Sequence, residues 1–276
     1  MTASVTPSTT VPGVDAPDTL SALVDLQRHP LHNAVYRRDC RQTLDDDGVL
    51  VLKGLLREST LAAVANDGRA RQDQAFYTAG THTVYLTPED PAYPAAHARN
   101  RAVVSSKGCL TTDQIAPASP LHTLYGSITL QAFLCSVLGE SALHPYADPL
   151  SSINLHYAGD GQELGWHYDN SSFAITLLIE KPRDGGVFEY VKGARDSANG
   201  DMGYALTQRV LDGAAPVQRL VMEEGDLVLF RGRDALHRVT PTIGERTRML
   251  VVLAYNTEPD ISLSESARMT FYGRLG

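Results

Sequence analysis

Apolar and polar positions follow different patterns in the two halves of the chain. Up to about residue 140, apolar residues recur mostly at helical spacing, with one continuous apolar run that is typical of a buried strand. Ser119 suits a helix N-cap, Pro120 the first helical turn and Gly139 the helix end. The pattern therefore predicts a strand over 48–52 and helices over 19–28, 35–46, 58–77 and 119–138.

From residue 151 onward the pattern changes to short apolar segments separated by turn residues such as Gly-Asp and Asp-Gly-Gly. Residues 203–211 interrupt this series and predict a helical insertion. Helices followed by many short strands favour an α+β fold, in which a β-sandwich or barrel packs against a helical layer. The strands are predicted over 152–157, 173–179, 187–191, 217–222, 226–230, 237–240 and 248–255.

The same patterns suggest the domain organisation. Residues 1–17 are rich in Thr, Ser, Pro and Val and predict a flexible tail, and residues 18–276 predict a single domain. Its helical part extends to about residue 140 and its strand-rich core spans about 150–258. Residues 78–118 contain Pro88, Pro91 and Pro94 and little periodicity, so we expect long loops of the kind that often form lids in enzymes.

Composition narrows the class of protein. The chain has 276 residues, a net charge of −8 and no Lys/Arg-rich run, which argues against nucleic acid or an anionic membrane as partners. Three widely spaced cysteines fit reduced thiols better than a disulfide framework, so we expect a cytoplasmic protein. The N-terminus lacks the basic and apolar regions of a signal peptide, and no run of about 18 apolar residues occurs.

The candidate chemistry lies in the strand-rich part. His167-Tyr168-Asp169 falls at the edge of one strand pair, and His237 follows the apolar strand predicted over 226–230. Two imidazoles and one carboxylate can occupy one face of an octahedral Fe(II) and leave the opposite face open. Downstream, either Arg246 or Arg248 could hold a carboxylate in a bidentate fork, because alternate residues of a strand share one face.

These residues resemble the motif of the Fe(II)/2-oxoglutarate-dependent oxygenases. Longer segments are similar to one branch of that superfamily, the free-amino-acid radical halogenases and their hydroxylase relatives. The likeness spans about residues 45–275 and is carried by residues 146–150, 164–169, 185–190, 225–241 and 254–257.

The resemblance implies a double-stranded β-helix core, also called a jelly roll or cupin-like fold, with a supporting helical layer. It implies that His167, Asp169 and His237 hold Fe(II), and that 2-oxoglutarate and O2 are cosubstrates converted to succinate and CO2. It further suggests that Tyr157 hydrogen-bonds the cosubstrate. In the halogenases of this branch a glycine replaces the carboxylate ligand, whereas this chain keeps Asp169. We therefore expect hydroxylation and negligible halogenation.

The resemblance also implies a small free amino acid as substrate, often a cationic one. Asp148 is the first candidate for its ammonium group and Asn170 the second, although either residue could instead cap a turn. Trp166 flanks the His-x-Asp triplet, where a packing role is favoured over substrate contact.

Other functions remain open at this point. The same oxygenase chemistry could act on a tethered or non-amino-acid natural product, or desaturate its substrate rather than hydroxylate it. A non-enzymatic metal or ligand sensor is less compatible with an open metal face and downstream arginines. The sequence identifies neither the amino acid, the oxidised carbon nor the oligomeric state.

Overall fold

The structure, a computed structural model, describes residues 17–276. The predicted tail, residues 1–17, lies outside this range except for its last residue. Seven helices occur in the described part: α1 Pro17–Leu23, α2 Ala34–Asp47, α3 Glu58–Arg71, α4 Pro120–Gly126, α5 Ile128–Leu138, α6 Tyr204–Leu211 and α7 Glu265–Tyr272.

The described residues also form thirteen strands. They are β1 Val49–Leu52, β2 Phe76–Thr83, β3 Ala102–Leu110, β4 Ile153–Ala158, β5 Leu164–His167, β6 Ala174–Glu180, β7 Asp184–Gly185, β8 Phe188–Val191, β9 Gln218–Leu220, β10 Leu227–Phe230, β11 Leu236–Val239, β12 Thr242–Ile243 and β13 Arg248–Leu253. The seven predicted strands after residue 151 and the helical insertion at α6 are confirmed, mostly within one or two residues.

The main sheet is antiparallel and curls back on itself. Its strand order is β1-β10-β6-β13-β4-β3-β5-β11-β8-β9, β2 pairs with β3, and β7 and β12 form a separate two-stranded sheet. One wall, called the larger wall, consists of β1, β10, β6, β13, β4 and β3. The facing, smaller wall consists of β5, β11, β8 and β9. This is the predicted α+β fold with a double-stranded β-helix core.

The two faces of the larger wall bury different residues. Its outer face, including Leu155 and Val251, packs against the helices in the largest hydrophobic cluster of the protein. Its inner face, including Leu178 and Val228, meets the facing wall in a second and smaller cluster. Burial of apolar surface on both faces holds the helical layer and the two walls together.

The long loops predicted over 78–118 are wrong for residues 78–83 and 102–110, which form strands, and are confirmed for residues 84–101. β2 and β3 form a complete antiparallel pair from Phe76↔Cys109 to Thr83↔Ala102. Pro88, Pro91 and Pro94 lie in the connection between these strands, a loop of residues 84–101. Three strands before residue 140, β1, β2 and β3, thus join the sheet.

Three predicted helices differ from those in the structure. The helix predicted over 19–28 ends at Leu23. The helix predicted over 58–77 ends at Arg71, and the residues from Phe76 onward pair in β2 instead. The helix predicted over 119–138 breaks into α4 and α5 at Ser127, whose side chain accepts a hydrogen bond from the Leu130 backbone N–H and so caps α5. The predicted cap at Ser119 and the left-handed Gly139 are both confirmed. Helix α7 was not predicted.

Within residues 17–276, no single helix is long and apolar enough to cross a membrane. The bent pair α4 and α5 passes the same length and composition criteria only when its two helices are taken together, across a 53° break.

Candidate metal centre

His167 and His237 are brought together by the pairing of two strands. His167 ends β5, His237 lies in β11, and the two residues are direct cross-strand partners. Side chains of directly opposed residues point to the same face of an antiparallel pair. Their rings accordingly lie with centroids 4.1 Å apart on the inner face of the smaller wall.

Asp169 completes the cluster from two residues beyond His167. Its Oδ1 lies 3.5 Å from Nε2 of His167 and 3.5 Å from Nε2 of His237. The three side chains form a group in which all potential ligand atoms lie within 4.8 Å of one another. The predicted triad residues are thus assembled in one place.

Backbone carbonyls orient both imidazoles. Nδ1 of His167 donates to the Gly165 carbonyl at 2.8 Å, and Nδ1 of His237 donates to the Ala235 carbonyl at 3.0 Å. Because a carbonyl oxygen only accepts, the hydrogen of each neutral ring lies on Nδ1. Each Nε2 therefore presents its lone pair toward Asp169, as a metal-binding histidine requires.

The electrostatics of the cluster favour a neutral imidazole at His167 and an ionised carboxylate at Asp169. Burial lowers the pKa of His167, and the proximity of His237 lowers it further. Burial alone would raise the pKa of Asp169, but the two histidines outweigh it and hold this pKa well below its usual range. These are the protonation states in which the groups bind a metal ion.

Close packing fixes the position of Asp169. The Asp169 backbone N–H donates to the Gly232 carbonyl at 3.1 Å. A Cβ atom added to Gly232 would collide with the Asp169 carboxylate. Gly232 is therefore a site residue that the sequence reasoning missed, although its place between two arginines just after a buried strand marks a tight turn beside His237.

A hydrogen-bonded chain supports His167 from the other wall. The Gly165 backbone N–H donates to Ser105 Oγ at 2.9 Å, and Ser105 Oγ lies 2.7 Å from Nε2 of His82. Nδ1 of His82 donates to the Thr83 carbonyl at 2.9 Å, so Nε2 accepts from the serine hydroxyl. The His82 ring also meets the His167 ring edge-on. These hydrogen bonds hold Gly165, the residue whose carbonyl orients the His167 ring.

The two predicted clamp arginines occupy different environments. Arg248 is only 7% exposed, and burial is the sole cause that lowers its pKa, to about 10, so it stays charged at neutral pH. No carboxylate among the described residues pairs with it. Arg246 instead forms an ion pair with Glu224 at 2.8 Å and lies 3.9 Å from Glu180, on the outside of the barrel.

Tyr157 lies on the opposite side of the sheet from Arg248. Its hydroxyl donates to the Gly68 carbonyl of α3 at 2.8 Å, within the large cluster beneath the helices. The inner face at this position is occupied by His156, which pairs with Leu250 across β4 and β13. The prediction that Tyr157 hydrogen-bonds the cosubstrate gains no support from these contacts, because a strand exposes alternate residues to each face and Tyr157 lies on the face opposite Arg248.

The three substrate candidates are dispersed. Asp148 is buried in a turn, where it accepts hydrogen bonds from Leu150 N, Ser151 Oγ and Leu263 N. Asn170 is exposed beside the triad, and its carbonyl accepts from Arg233.

Trp166 points to the outer face of the smaller wall, where Arg238 lies 4.8 Å from the centre of its ring. This agrees with a packing role. The three candidates therefore do not converge on one ligand.

A family model for Halogenase D matches residues 95–271, which is more than half of the chain and includes all three triad residues. The chain belongs to the Halogenase D family. Among curated proteins, no sequence matches this member of the family. The family name refers to halogenation, but this member retains the carboxylate of Asp169 in the triad.

Solved structures share the fold of this Halogenase D family member. An oxidoreductase of the 2OG-Fe(II) oxygenase family from Burkholderia pseudomallei is 14% identical with a TM-score of 0.51, covering 83% of this chain and 95% of its own. The α-ketoglutarate-dependent epimerase SnoN from nogalamycin biosynthesis is 10% identical with a TM-score of 0.54, covering 81% of each chain.

HygX from Streptomyces hygroscopicus, solved with nickel, 2-oxoglutarate and hygromycin B, is 15% identical with a TM-score of 0.50, covering 79% of this chain and 86% of its own. At these identities the likeness establishes the double-stranded β-helix fold, and the cluster of His167, Asp169 and His237 is a candidate iron site within it.

Proposed function

We propose that the protein is an Fe(II)/2-oxoglutarate-dependent hydroxylase of a small free amino acid. The observation that carries this proposal is the buried cluster of His167, Asp169 and His237 on the inner wall of the barrel. Its donors match the two-histidine, one-carboxylate set that non-haem Fe(II) oxygenases use, in which three further coordination positions stay open.

The residues present fit an iron ion. Both Nε2 lone pairs are free and turned toward the same carboxylate oxygen, and the carbonyls of Gly165 and Ala235 hold the opposite ring nitrogens. Phe188 and Phe230 pack against the ring of His237, with centroids at 5.5 and 4.8 Å. Such a shell excludes water and restricts ring rotation. Iron bound here with 2-oxoglutarate and O2 would supply oxidative decarboxylation to succinate and CO2 and the oxidising power for C–H hydroxylation.

Arg248 is our candidate for the distal carboxylate of 2-oxoglutarate. Its guanidinium is buried on the inner face of β13 and has no protein anion beside it, whereas Arg246 is already paired with Glu224. A planar guanidinium offers two parallel N–H donors to a carboxylate, which is stronger and more directional than a single hydrogen bond.

Asp169 favours hydroxylation over halogenation. A carboxylate ligand occupies the coordination position that a halide would need, and the close approach of Gly232 keeps this carboxylate beside the histidines. Asp169 could leave this position only by breaking the hydrogen bond that its backbone N–H donates to the Gly232 carbonyl. We accordingly infer that the open positions serve the cosubstrates.

Succinate formation tests the proposal directly. Protein loaded with Fe(II) without oxygen would receive 2-oxoglutarate, O2 and chloride with each standard free amino acid, and the products would be identified by mass spectrometry. We expect a product heavier by one oxygen atom with one class of amino acid, in step with succinate. His237→Ala serves as the inactive control.

Other outcomes would change the assignment. A chlorinated product from the wild-type protein would overturn the role given to Asp169. Iron-dependent 2-oxoglutarate binding without turnover of any free amino acid would retain the oxygenase and move the substrate to a tethered or larger molecule. Absence of both iron and 2-oxoglutarate binding would remove the proposed function.

A further inference from the structure

A cavity of about 210 Å³ lies between α7 and the inner face of β3 and β4. Lys107, Asn154 and His156 form its floor, and Phe271 and Tyr272 of α7 form part of its cover. The register places His156 opposite Leu250 and Ala158 opposite Arg248, so the floor belongs to the same face of the sheet as Arg248. The cavity is thus part of the barrel interior.

Lys107 is the feature of this cavity that lacks an explanation in the fold. Its Nζ lies 3.3 and 3.4 Å from the ring nitrogens of His156 and 5.9 Å from the centre of the Phe271 ring. No carboxylate is among the residues that line the cavity. Lys107 is half-buried, and an ammonium group partly withdrawn from water without an anionic partner is unfavourable. A ligand carboxylate beside it would offset that cost.

Neighbouring groups cannot supply the missing negative charge. Burial, with the charges of Lys107 and Arg248, lowers the pKa of His156 well below its usual range, so this imidazole is neutral. Burial lowers the pKa of Lys107, and the charge of Asp169 only partly opposes this shift. The Asp169 Oδ1 is turned toward the two histidines instead of toward Lys107. Asp148 is held by hydrogen bonds from Leu263, Ser151 and Leu150.

The charges of the proposed complex leave Lys107 unbalanced. Fe(II) carries two positive charges, of which Asp169 offsets one. The two carboxylates of 2-oxoglutarate offset the second and leave one negative charge, which Arg248 balances. A zwitterionic amino acid would leave the ammonium group of Lys107 uncompensated, and a cationic amino acid would add a second positive charge to the buried site. A substrate with one net negative charge would make the site neutral.

We propose that Lys107 binds a carboxylate of the substrate, and that the substrate carries one net negative charge and is of the size of a dicarboxylic amino acid. This inference rests on the proposed oxygenase function and narrows its substrate class away from the cationic amino acids. Asn154, the other polar residue of the floor, is already paired within the fold. Its side-chain N–H groups donate to the carbonyls of Leu150 and Ile153, and its oxygen accepts from Tyr272. Lys107 is therefore the group on the floor that is available to a substrate carboxylate.

Binding of a matched ligand pair tests the charge preference apart from turnover. Isothermal titration calorimetry would be performed without oxygen on protein loaded with Fe(II) and 2-oxoglutarate, using L-glutamate, its neutral isostere L-glutamine, and L-lysine. We expect glutamate to bind at least about tenfold more tightly than glutamine, since a charge-assisted hydrogen bond is roughly twice as strong as a neutral one, and lysine to bind most weakly.

Variants locate that preference at Lys107. Lys107→Met, or Lys107→Gln if the first variant unfolds, should abolish the difference between glutamate and glutamine. Lys181→Met should preserve the difference, because Lys181 is paired with Glu223 at the surface. Thermal melting would show that the variants are folded.

Three results would overturn the inference: tighter binding of glutamine or lysine, no binding of glutamate, or an unchanged glutamate preference in both Lys107 variants. A Lys107 variant that weakens 2-oxoglutarate rather than glutamate would also overturn it, because Lys107 would then serve the cosubstrate. Failure of the wild-type protein to bind 2-oxoglutarate would instead contradict the proposed function, and glutamate binding to the iron-loaded protein would still report on Lys107.

Discussion

Polar side chains lie on both faces of the curled sheet, and the two faces differ in how these side chains are paired. On the outer side, the hydroxyl of Tyr157 donates to Gly68, and the buried carboxylate of Glu189 lies between Arg219 and Arg238. On the inner side, Arg248 and Lys107 have no carboxylate partner among residues 17–276. Buried polar groups are nearly always satisfied, so this difference marks the inner face as the place for charged ligands.

The triad extends the same contrast. Each imidazole uses one nitrogen for a backbone carbonyl and turns the other toward Asp169, so one half of each ring serves the fold and the other half is available to a metal ion. This division is what allows a buried histidine to be both rigid and reactive.

Loss of a triad imidazole should have the largest effect. We expect His237→Ala to lower the affinity for Fe(II) by at least about 100-fold, because the variant loses one of the three protein ligands and only two remain. Iron content after equilibrium dialysis measures this effect. His32→Ala, at an exposed histidine, is the control and should bind iron like the wild type. Equal iron affinity in His237→Ala would contradict the metal assignment and, with it, the functional division between the two faces.

The two arginines allow a guanidinium with a protein carboxylate partner, Arg246, to be compared with one that has none, Arg248. Arg248→Met should weaken 2-oxoglutarate binding by about 100-fold, since removing one partner of a buried charge pair costs about 2–5 kcal/mol. Arg246→Met should leave it unchanged, because the Arg246 side chain is occupied by Glu224. Tyr157→Phe, which alters only the outer face, is a second control. Calorimetric titration of 2-oxoglutarate into the iron-loaded variants provides the measurement, and a larger effect at Arg246 would reverse the assignment.

A smaller effect is expected from crowding the inner site without removing a donor. Gly232→Ala places a methyl group against the Asp169 carboxylate and should lower the Fe(II) affinity by about tenfold, the range seen when groups supporting metal ligands are changed. Gly80→Ala is the matched control, because a Cβ at Gly80 meets no atom within 4 Å. Equal iron affinity in the two variants would mean that the turn at Gly232 relaxes freely.

Patterns that reside in short segments could be predicted from the sequence. The strands after residue 151, the helix at α2, the caps at Ser119 and Gly139 and the residues of the triad all follow from local periodicity or a fixed motif. The family resemblance supplied the order in which those strands form a double-stranded β-helix.

Features that depend on pairing between distant segments could not be predicted. β2 and β3 stabilise each other along their full length, but neither has the alternating apolar pattern that identifies a strand by itself. The choice between Arg246 and Arg248 depends on where β13 begins. Arg248 is its first residue, whereas Arg246 precedes the strand and so does not follow its alternation of faces. Lys107 was overlooked because its segment was read as a loop.

The smallest effect concerns Asp148, a buried carboxylate that the fold itself satisfies. Desolvation would raise its pKa, but hydrogen bonds from Leu263, Ser151 and Leu150 outweigh this and lower the pKa in the folded protein. Its ionised form therefore stabilises the fold fully above the usual carboxyl pKa of 3.8, and the contribution disappears as the pH falls through the lower folded-state value.

Asp148→Asn should thus lower the free energy of unfolding by about 1 kcal/mol at neutral pH, the net value of a typical hydrogen bond, and by less as the pH falls below the carboxyl range. Urea unfolding of both proteins across this pH range isolates the difference from other titrating groups. Because Asp148 serves the turn and Leu263, amino-acid binding should not change. A pH-independent difference in stability, or a selective loss of amino-acid binding, would instead indicate that the Asp148 carboxylate binds a ligand and does not stabilise the fold.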